Sequence, residues 1–207
     1  GFSEQRLADA AARQFAELPY YHSHGNTSHP RAIDLAERLI AMSPVPMSKV
    51  FFSNSGSESN DTAIKLTWYY NNAHGRPEKK KIIGLEQGYH GVTIGAASLS
   101  GSPAMHQDFD LPLARFLHTD RPHFYRRQYE DDSEEEFATR CAERLEQLIL
   151  EEGPETVAAF IAEPIQGAGG AIVPPRTYFE KIQQVLRRHD ILFIVDEVIC
   201  GFGRTGK

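Results

Sequence analysis

Four short runs hold the residues whose types and spacing could do chemistry. The first, Ser53-Asn54-Ser55-Gly56-Ser57-Glu58, is small and hydroxyl-rich and leads into a stretch of helical periodicity. The free amides and positive dipole end of a helix start favour an anion such as a phosphate; taken alone, the run is better read as plain N-capping by Ser55 or Ser57. The second, Gly88-Tyr89-His90-Gly91, sets an aromatic ring and an imidazole between two glycines, which lets the backbone come close to a bound group. Taken alone, Tyr89 could be a partly buried tyrosine and His90 a structural histidine. The third and fourth are Glu163 and Asp196, each at the end of an unbroken apolar run. A carboxylate so placed is desolvated and requires a compensating partner: a protonated ring nitrogen, a metal or an arginine, with Arg204 the nearby candidate for Asp196.

Other patterns carry less. Gly201-Phe202-Gly203-Arg204-Thr205-Gly206-Lys207 reads as GxxxxGK, and an apolar strand ending in Asp196-Glu197 is like the acidic strand of nucleotide hydrolases. A P-loop requires its own strand before it and a helix after it, whereas here both patterns share one strand end, so that reading is set aside. There is no GxSxG and no HExxH. His22 and His24 lack a third ligand in view, so no metal site is expected.

The composition bounds the rest. The chain has 207 residues, 22 Lys+Arg against 28 Asp+Glu, a net charge of −6, and is 41% hydrophobic and 24% charged, enough to bury a substantial core in a little over one domain. A net acidic chain without a basic stripe argues against nucleic acid. Its apolar runs fall far short of the ~20 residues a membrane helix needs, and its first residues have no signal-peptide pattern. Cys141 and Cys200 are too few and too far apart for a disulfide framework or metal knuckle, which points to a reducing compartment, the cytoplasm first. The chain begins at Gly1 and stops at Lys207 inside a Gly-rich stretch, so it is expected to be an excerpt from a longer one.

Periodicity supplies the positioning elements. It predicts helices over 7–15 and from Pro30 through Ile40, then a β-prone run over 49–53 and a helix over 58–72. A strand over 81–85, a small-residue helix over 93–99 and a short strand over 115–118 follow. Ser133 with Glu136 forms a capping box opening an amphipathic helix, the acidic run 130–136 being its solvated start. Strands over 157–162 and 191–195 flank a helix over 174–189. Strands alternating with helices imply parallel βαβ units, and continuous apolar strands imply a sheet covered on both faces. The expected class is α/β, a mostly parallel sheet flanked by helices on both faces, with ligands at the carboxyl ends of its strands.

In order and spacing, Ser-Asn-Ser-Gly-Ser-Glu-Ser-Asn at 53–60, Gly-Tyr-His-Gly at 88–91, Glu-Pro-Ile-Gln-Gly-Ala-Gly-Gly at 163–170 and Asp-Glu-Val-Ile-Cys-Gly-Phe-Gly-Arg-Thr-Gly at 196–206 resemble the class III aminotransferases. These are a branch of the fold type I pyridoxal-phosphate enzymes, and the look is that of ω-transaminases using pyruvate as amino acceptor. The resemblance implies pyridoxal 5'-phosphate as cofactor, with Ser55, Gly56 and Ser57 at its phosphate, Tyr89 stacked on its ring, Asp196 paired with the ring nitrogen and Val198 behind the ring. It makes His90 and Glu163 partners one layer out. One branch of the class has glutamine at the position of Ile199, where it reaches the ring hydroxyl; isoleucine cannot.

The same resemblance makes residues 1–207 part of a large cofactor-binding domain, without the N-terminal segment, the catalytic-lysine region or the C-terminal domain. The family's cofactor-attaching lysine lies about thirty residues past the Asp-Glu-Val motif. None of Lys49, Lys65, Lys79, Lys80, Lys81, Lys181 or Lys207 takes that place. The implied activity moves an amino group from an amine or ω-amino acid to a keto acid such as pyruvate. The implied assembly is a homodimer or dimer of dimers, for which the aromatic, histidine-rich stretch 18–30 is a fitting interface. An aminomutase on the same scaffold and a non-catalytic cofactor-binding relative remain as alternatives.

Overall fold

A computed structural model describes residues 2–206, which fall into two compact units divided between Phe52 and Ser53. Gly1 and Lys207, the latter ending the GxxxxGK run, lie outside the described residues. The first unit carries helices α1 (Gln5–Glu17) and α2 (Pro30–Met42). Pro30 supplies the preset φ of a helix start, and the His29 side chain accepts from the Arg31 N–H at 3.0 Å. The β-prone run over 49–53 forms no strand, and Phe51 and Phe52 are exposed. β-propensity expresses fit to a pleated, half-buried surface, and no neighbouring strand among the described residues offers this run one.

The second unit has the α/β architecture that the alternating pattern implies. Its helices are α3 (Gly56–Ala73), α4 (Ile94–Leu99), α5 (Glu134–Glu152) and α6 (Tyr178–Arg188); its strands are β1 (Lys81–Leu85), β2 (Phe116–Thr119), β3 (Val157–Ala162) and β4 (Leu192–Val195). All pairings are parallel, in the order β2-β1-β3-β4. Alternation along the strands sends Ile83, Phe160 and Ala162 to one face, against Leu145 and Ile149 of α5 and Ile182 and Leu186 of α6. Ile82, Ala159 and Ile161 face the other way, against Ile64 of α3 and Leu99 of α4. Each of the isoleucines, leucines and Phe160 contributes roughly 1.5–3 kcal/mol by leaving water, and each alanine less. Ser133 and Glu136 make the reciprocal capping box at the start of α5.

Two expectations are corrected. The helix expected from Pro174 begins at Tyr178, because Pro174-Pro175 lacks N–H donors and biases its neighbours toward extended backbone; the Pro175 carbonyl accepts from the Tyr178 N–H. The strand expected to be covered on both faces at 191–195 is β4, which borders the sheet: Leu192, Phe193 and Ile194 are half-buried and Val195 is exposed, whereas all six residues of β3 are buried.

The carboxyl ends of β1, β3 and β4 lead into residues 86–93, 163–170 and 196–206. At the opposite end, Lys79 is buried and donates to the carbonyls of His189 and Asp190 at 2.9 and 2.5 Å, so it serves the end of α6.

Candidate active site

Three strand ends and one helix start meet around a cavity of about 200 Å³. It is lined by Gly56, Ser57, Tyr89, His90, Gly91, Glu163, Asp196, Val198 and Ile199. Eight of the nine residues singled out from the sequence are thus brought together, with Gly91 added. Ser55 is not among them; its Oγ accepts from the Glu58 N–H at 3.2 Å, which makes it the N-cap of α3. The N–H groups of Gly56 and Ser57 have no carbonyl one turn earlier to bond, and as the first turn of α3 they carry its positive dipole end.

Asp196 is 7% exposed. Its Oδ2 accepts from His90 Nδ1 at 2.9 Å and Asn60 Nδ2 at 3.0 Å, and its Oδ1 accepts from the Val198 N–H at 3.1 Å. The arginine alternative is not realised, since Arg204 Nε reaches the Ile199 carbonyl instead. Burial pushes the Asp196 carboxyl up, but the His90 and Asn60 hydrogen bonds, the charge of His90 and the Val198 N–H outweigh it and hold the group below its ordinary value. Asp196 is therefore an anion held at the cavity wall, with one acceptor position left on Oδ1 by this bonding pattern.

The walls are fixed by backbone hydrogen bonds. Glu163, 4% exposed, accepts from the Tyr89 N–H through Oε1 at 3.0 Å and from the Gly167 N–H through Oε2 at 2.9 Å. The His90 N–H donates to Ser100 Oγ at 2.8 Å, and the Val92 N–H to Ser57 Oγ at 3.0 Å. Val198 packs against Gly56 so closely that a Cβ there would meet Val198 Cγ2 at 3.0 Å. Gly91 is tighter still: it has φ +128°, and an added Cβ would stand 2.3 Å from Ser57 Oγ and 2.9 Å from Ser57 Cα. Gly91→Ala is expected to displace the start of α3, lowering stability by about 1–3 kcal/mol and weakening cofactor binding about tenfold or more by moving the N–H groups that face an anion. Denaturant unfolding and a cofactor titration of the full-length protein check both.

Asn60 was not picked out from the sequence as an individual residue, yet its Nδ2 joins the His90 carbonyl at 2.7 Å to Asp196. Its position one helical turn beyond Gly56 and Ser57 is the signal that could have found it. Gln166, fully buried three residues after Glu163, was likewise not singled out. No lysine lines the cavity among the described residues. A somewhat larger cavity of about 260 Å³ between residues 120–132 and α5 mixes Asp120 and Asp132 with Arg121, Arg126 and Arg140, so its charges largely answer one another.

The residues present fit pyridoxal 5'-phosphate. A helix start offers unbonded amides for a phosphate, Tyr89 and Val198 offer surfaces for a flat ring, and a buried anion with a spare acceptor position suits a protonated ring nitrogen. Residues 1–207 match the family Aminotransferase class-III. The probable gamma-aminobutyrate transaminase 2, mitochondrial, of Oryza sativa subsp. indica is 62% identical over all 207 residues, which span 42% of that protein. Vanillin aminotransferase of Capsicum frutescens is 59% identical over the whole chain and 45% of its own length. The omega transaminase from Pseudomonas jessenii in complex with PMP superimposes with a TM-score of 0.96 at 62% identity, over 99% of this chain and 45% of that one. The chain thus spans less than half the length of these relatives. It belongs to the class III aminotransferases, a branch of the fold type I enzymes whose cofactor is pyridoxal 5'-phosphate.

Proposed function

We propose that the full-length protein is a transaminase that moves an amino group from an amine or ω-amino acid to a keto acid such as pyruvate, and that this chain supplies the cofactor-binding part of its large domain. The observation that carries this reading is the buried Asp196 carboxylate, held ionised by His90 and Asn60 at the wall of a cavity that a helix start also enters. In this reading the first turn of α3, with Gly56 and Ser57, binds the phosphate, and Ser55 contributes by capping that turn. Tyr89 and Val198 would flank the ring, Asp196 would hold its nitrogen proton, and Ile199 completes the cavity wall. His90 and Asn60 orient Asp196, and Glu163 fixes the loops that carry Tyr89 and Gly167. When bound, the cofactor supplies an electron sink for the pair left on the donor carbon as its proton departs. The lysine that attaches it belongs to the remainder of the full-length protein.

The relatives' names, gamma-aminobutyrate transaminase and vanillin aminotransferase, support ω-amino acids and amines as donors. The test is to supply γ-aminobutyrate and a primary benzylic amine in turn, with and without pyruvate. The expected result is alanine together with the carbonyl product of the donor, formed only when pyruvate is present. Donor rearrangement without a keto acid would instead indicate an aminomutase, and cofactor retention without turnover a non-catalytic relative.

The reading includes a homodimer or dimer of dimers. Tyr20 and Tyr21, in the stretch 18–30, expose 77% and 46% of their surface, a supply of aromatic area suited to an interface. Sedimentation of the full-length protein should give a dimer or tetramer, and a fully active monomer would contradict this. Cys141 and Cys200 are free and buried, which suits the cytoplasm and the reducing interior of an organelle alike. No helix among the described residues is long and apolar enough to cross a membrane.

A further inference from the structure

The start of α4 lacks the cap that its own sequence offers. Thr93, a residue type that closes helix starts, makes no side-chain hydrogen bond to the amides that follow it. The acceptor comes from α3 instead: Asp61 Oδ1 takes the Ala96 N–H at 3.1 Å, its one hydrogen-bond partner among the described residues. Gly95 makes that approach possible, because a carbon built on its Cα would run into Asp61 Oδ1 and stand 3.0 Å from Ile64 Cδ1. Asp61 belongs to a row. Ser57, Asn60 and Asp61 are spaced i, i+3, i+4 and so share one face of α3. They bond the Val92 N–H at 3.0 Å, the His90 carbonyl at 2.7 Å and the Ala96 N–H. One helix face thus holds the segment 90–96 at three points, and that segment carries His90 and Gly91 of the cavity wall.

The far end of α4 returns to the same wall. The Ala96 carbonyl accepts from Ser100 Oγ at 3.0 Å, and Ser100 Oγ accepts from the His90 N–H at 2.8 Å. The hydroxyl proton is committed to Ala96, so the lone pairs of the oxygen face the His90 amide. Ala96 is therefore held through its N–H by Asp61, and through its carbonyl it orients the serine that fixes His90, whose Nδ1 lies 2.9 Å from Asp196 Oδ2. Ser100 and His90 are both buried, which leaves the His90 amide no bulk water to turn to if α4 shifts. We propose that Asp61 is a positioning residue: by seating α4 on α3 it sets the backbone of residues 90–92, and with it the His90 ring and the Val92 tie to Ser57, for the cofactor. Asp61 does not line the cavity, so it acts through those residues and not on the ligand. The seating stands on the hydrogen bonds alone; its bearing on the cofactor rests on the function proposed above.

The experiment uses the full-length protein with Asp61→Ala, Asp61→Asn and Gly95→Ala. Without cofactor, hydrogen exchange of the peptide spanning 90–97 should be at least about fivefold faster in Asp61→Ala than in the parent, as expected for one lost hydrogen bond. Asp61→Asn keeps a carbonyl oxygen to accept from Ala96 and should stay within about twofold of the parent. With cofactor, Asp61→Ala should bind at least about fivefold more weakly and alter the circular dichroism of the bound cofactor's visible band, and Asp61→Asn should recover both. If Asp61→Ala does not fold, Gly95→Ala carries the test, since its methyl displaces the same carboxylate and should reproduce both losses. Parental exchange in a folded Asp61→Ala protein overturns the seating. Equal losses of affinity in Asp61→Asn and Asp61→Ala overturn the hydrogen bond as the cause. Faster exchange with parental affinity and circular dichroism keeps the seating and overturns its role for the cofactor, because a merely structural Asp61 would lower stability and leave the bound cofactor as it was. A parent that binds no cofactor overturns the function proposed above, and this role with it, while exchange still decides the seating.

Discussion

Asp196→Asn in the full-length protein is expected to lower turnover at least about a hundredfold, close to 3 kcal/mol of lost transition-state stabilisation, while the protein still folds. Three donors, His90 Nδ1, the Asn60 amide and the Val198 N–H, converge on two carboxylate oxygens. Asparagine offers one oxygen and turns an NH2 group toward one of those donors, which should cost about 1–3 kcal/mol of stability. More decisively, it removes the anion that keeps the ring nitrogen protonated. Acid provides a second readout. The folded-state carboxyl lies below its ordinary value of 3.8, so ionised Asp196 stabilises the fold at pH above about 4, and that contribution is lost as pH falls through the lower folded value. The stability gap between parent and variant should therefore narrow below pH 3.8. Near-parental turnover of the variant would remove Asp196 from its assigned role.

Ser57→Asp should act almost wholly on cofactor binding. A carboxylate in the first turn of α3 suits the helix dipole, and it can still accept from the Val92 N–H as Ser57 Oγ does, so folding should be little affected. The same carboxylate faces the cavity where a phosphate dianion would lie. At a partly buried site, like unit charges about 4 Å apart repel by about 4 kcal/mol at an effective dielectric of 20. Cofactor affinity should fall at least about a hundredfold with the unfolding midpoint nearly unchanged. Titration of the cofactor-free protein decides it, and equal affinities would leave this turn as a helix start and nothing more.

Much of this was legible along the chain, for identifiable reasons. The unbroken apolar run 157–162 is too short for a buried helix and reads as a strand buried on both sides, and it forms β3 with those bounds. Ser133 and Glu136 announce the start of α5 because a capping box is a local device, complete within four residues. Asp196 and Glu163 were found because a carboxylate at the end of such a strand is desolvated wherever the rest of the fold lies. What escaped depends on partners far off in sequence. Asn60 meets Asp196 across 136 positions, and Gln166 meets the Glu86 carbonyl across 80. The turn spacing from Gly56 and Ser57 puts Asn60 on the right face of α3 but does not name its partner, and nothing in the residues after β3 marks Gln166. Phe51 and Phe52 misled for the converse reason: their strand character is conditional on a neighbour that the run itself cannot reveal.

The two bonds accepted by Glu163 bear on how this protein can change over evolutionary time. One carboxylate ties the backbone of Tyr89 to that of Gly167, so the loops after β1 and β3 share a single anchor although 74 residues separate Glu163 from Tyr89. An insertion before Tyr89 in the first loop, or between Glu163 and Gly167 in the second, would shift that loop's amide relative to the anchor and leave a buried carboxylate short of a donor. Loop-length drift is thereby penalised at both positions. Change at this site is left to exchanges of side chains at fixed backbone, as at Ile199, which borders the cavity and keeps part of its surface in solvent.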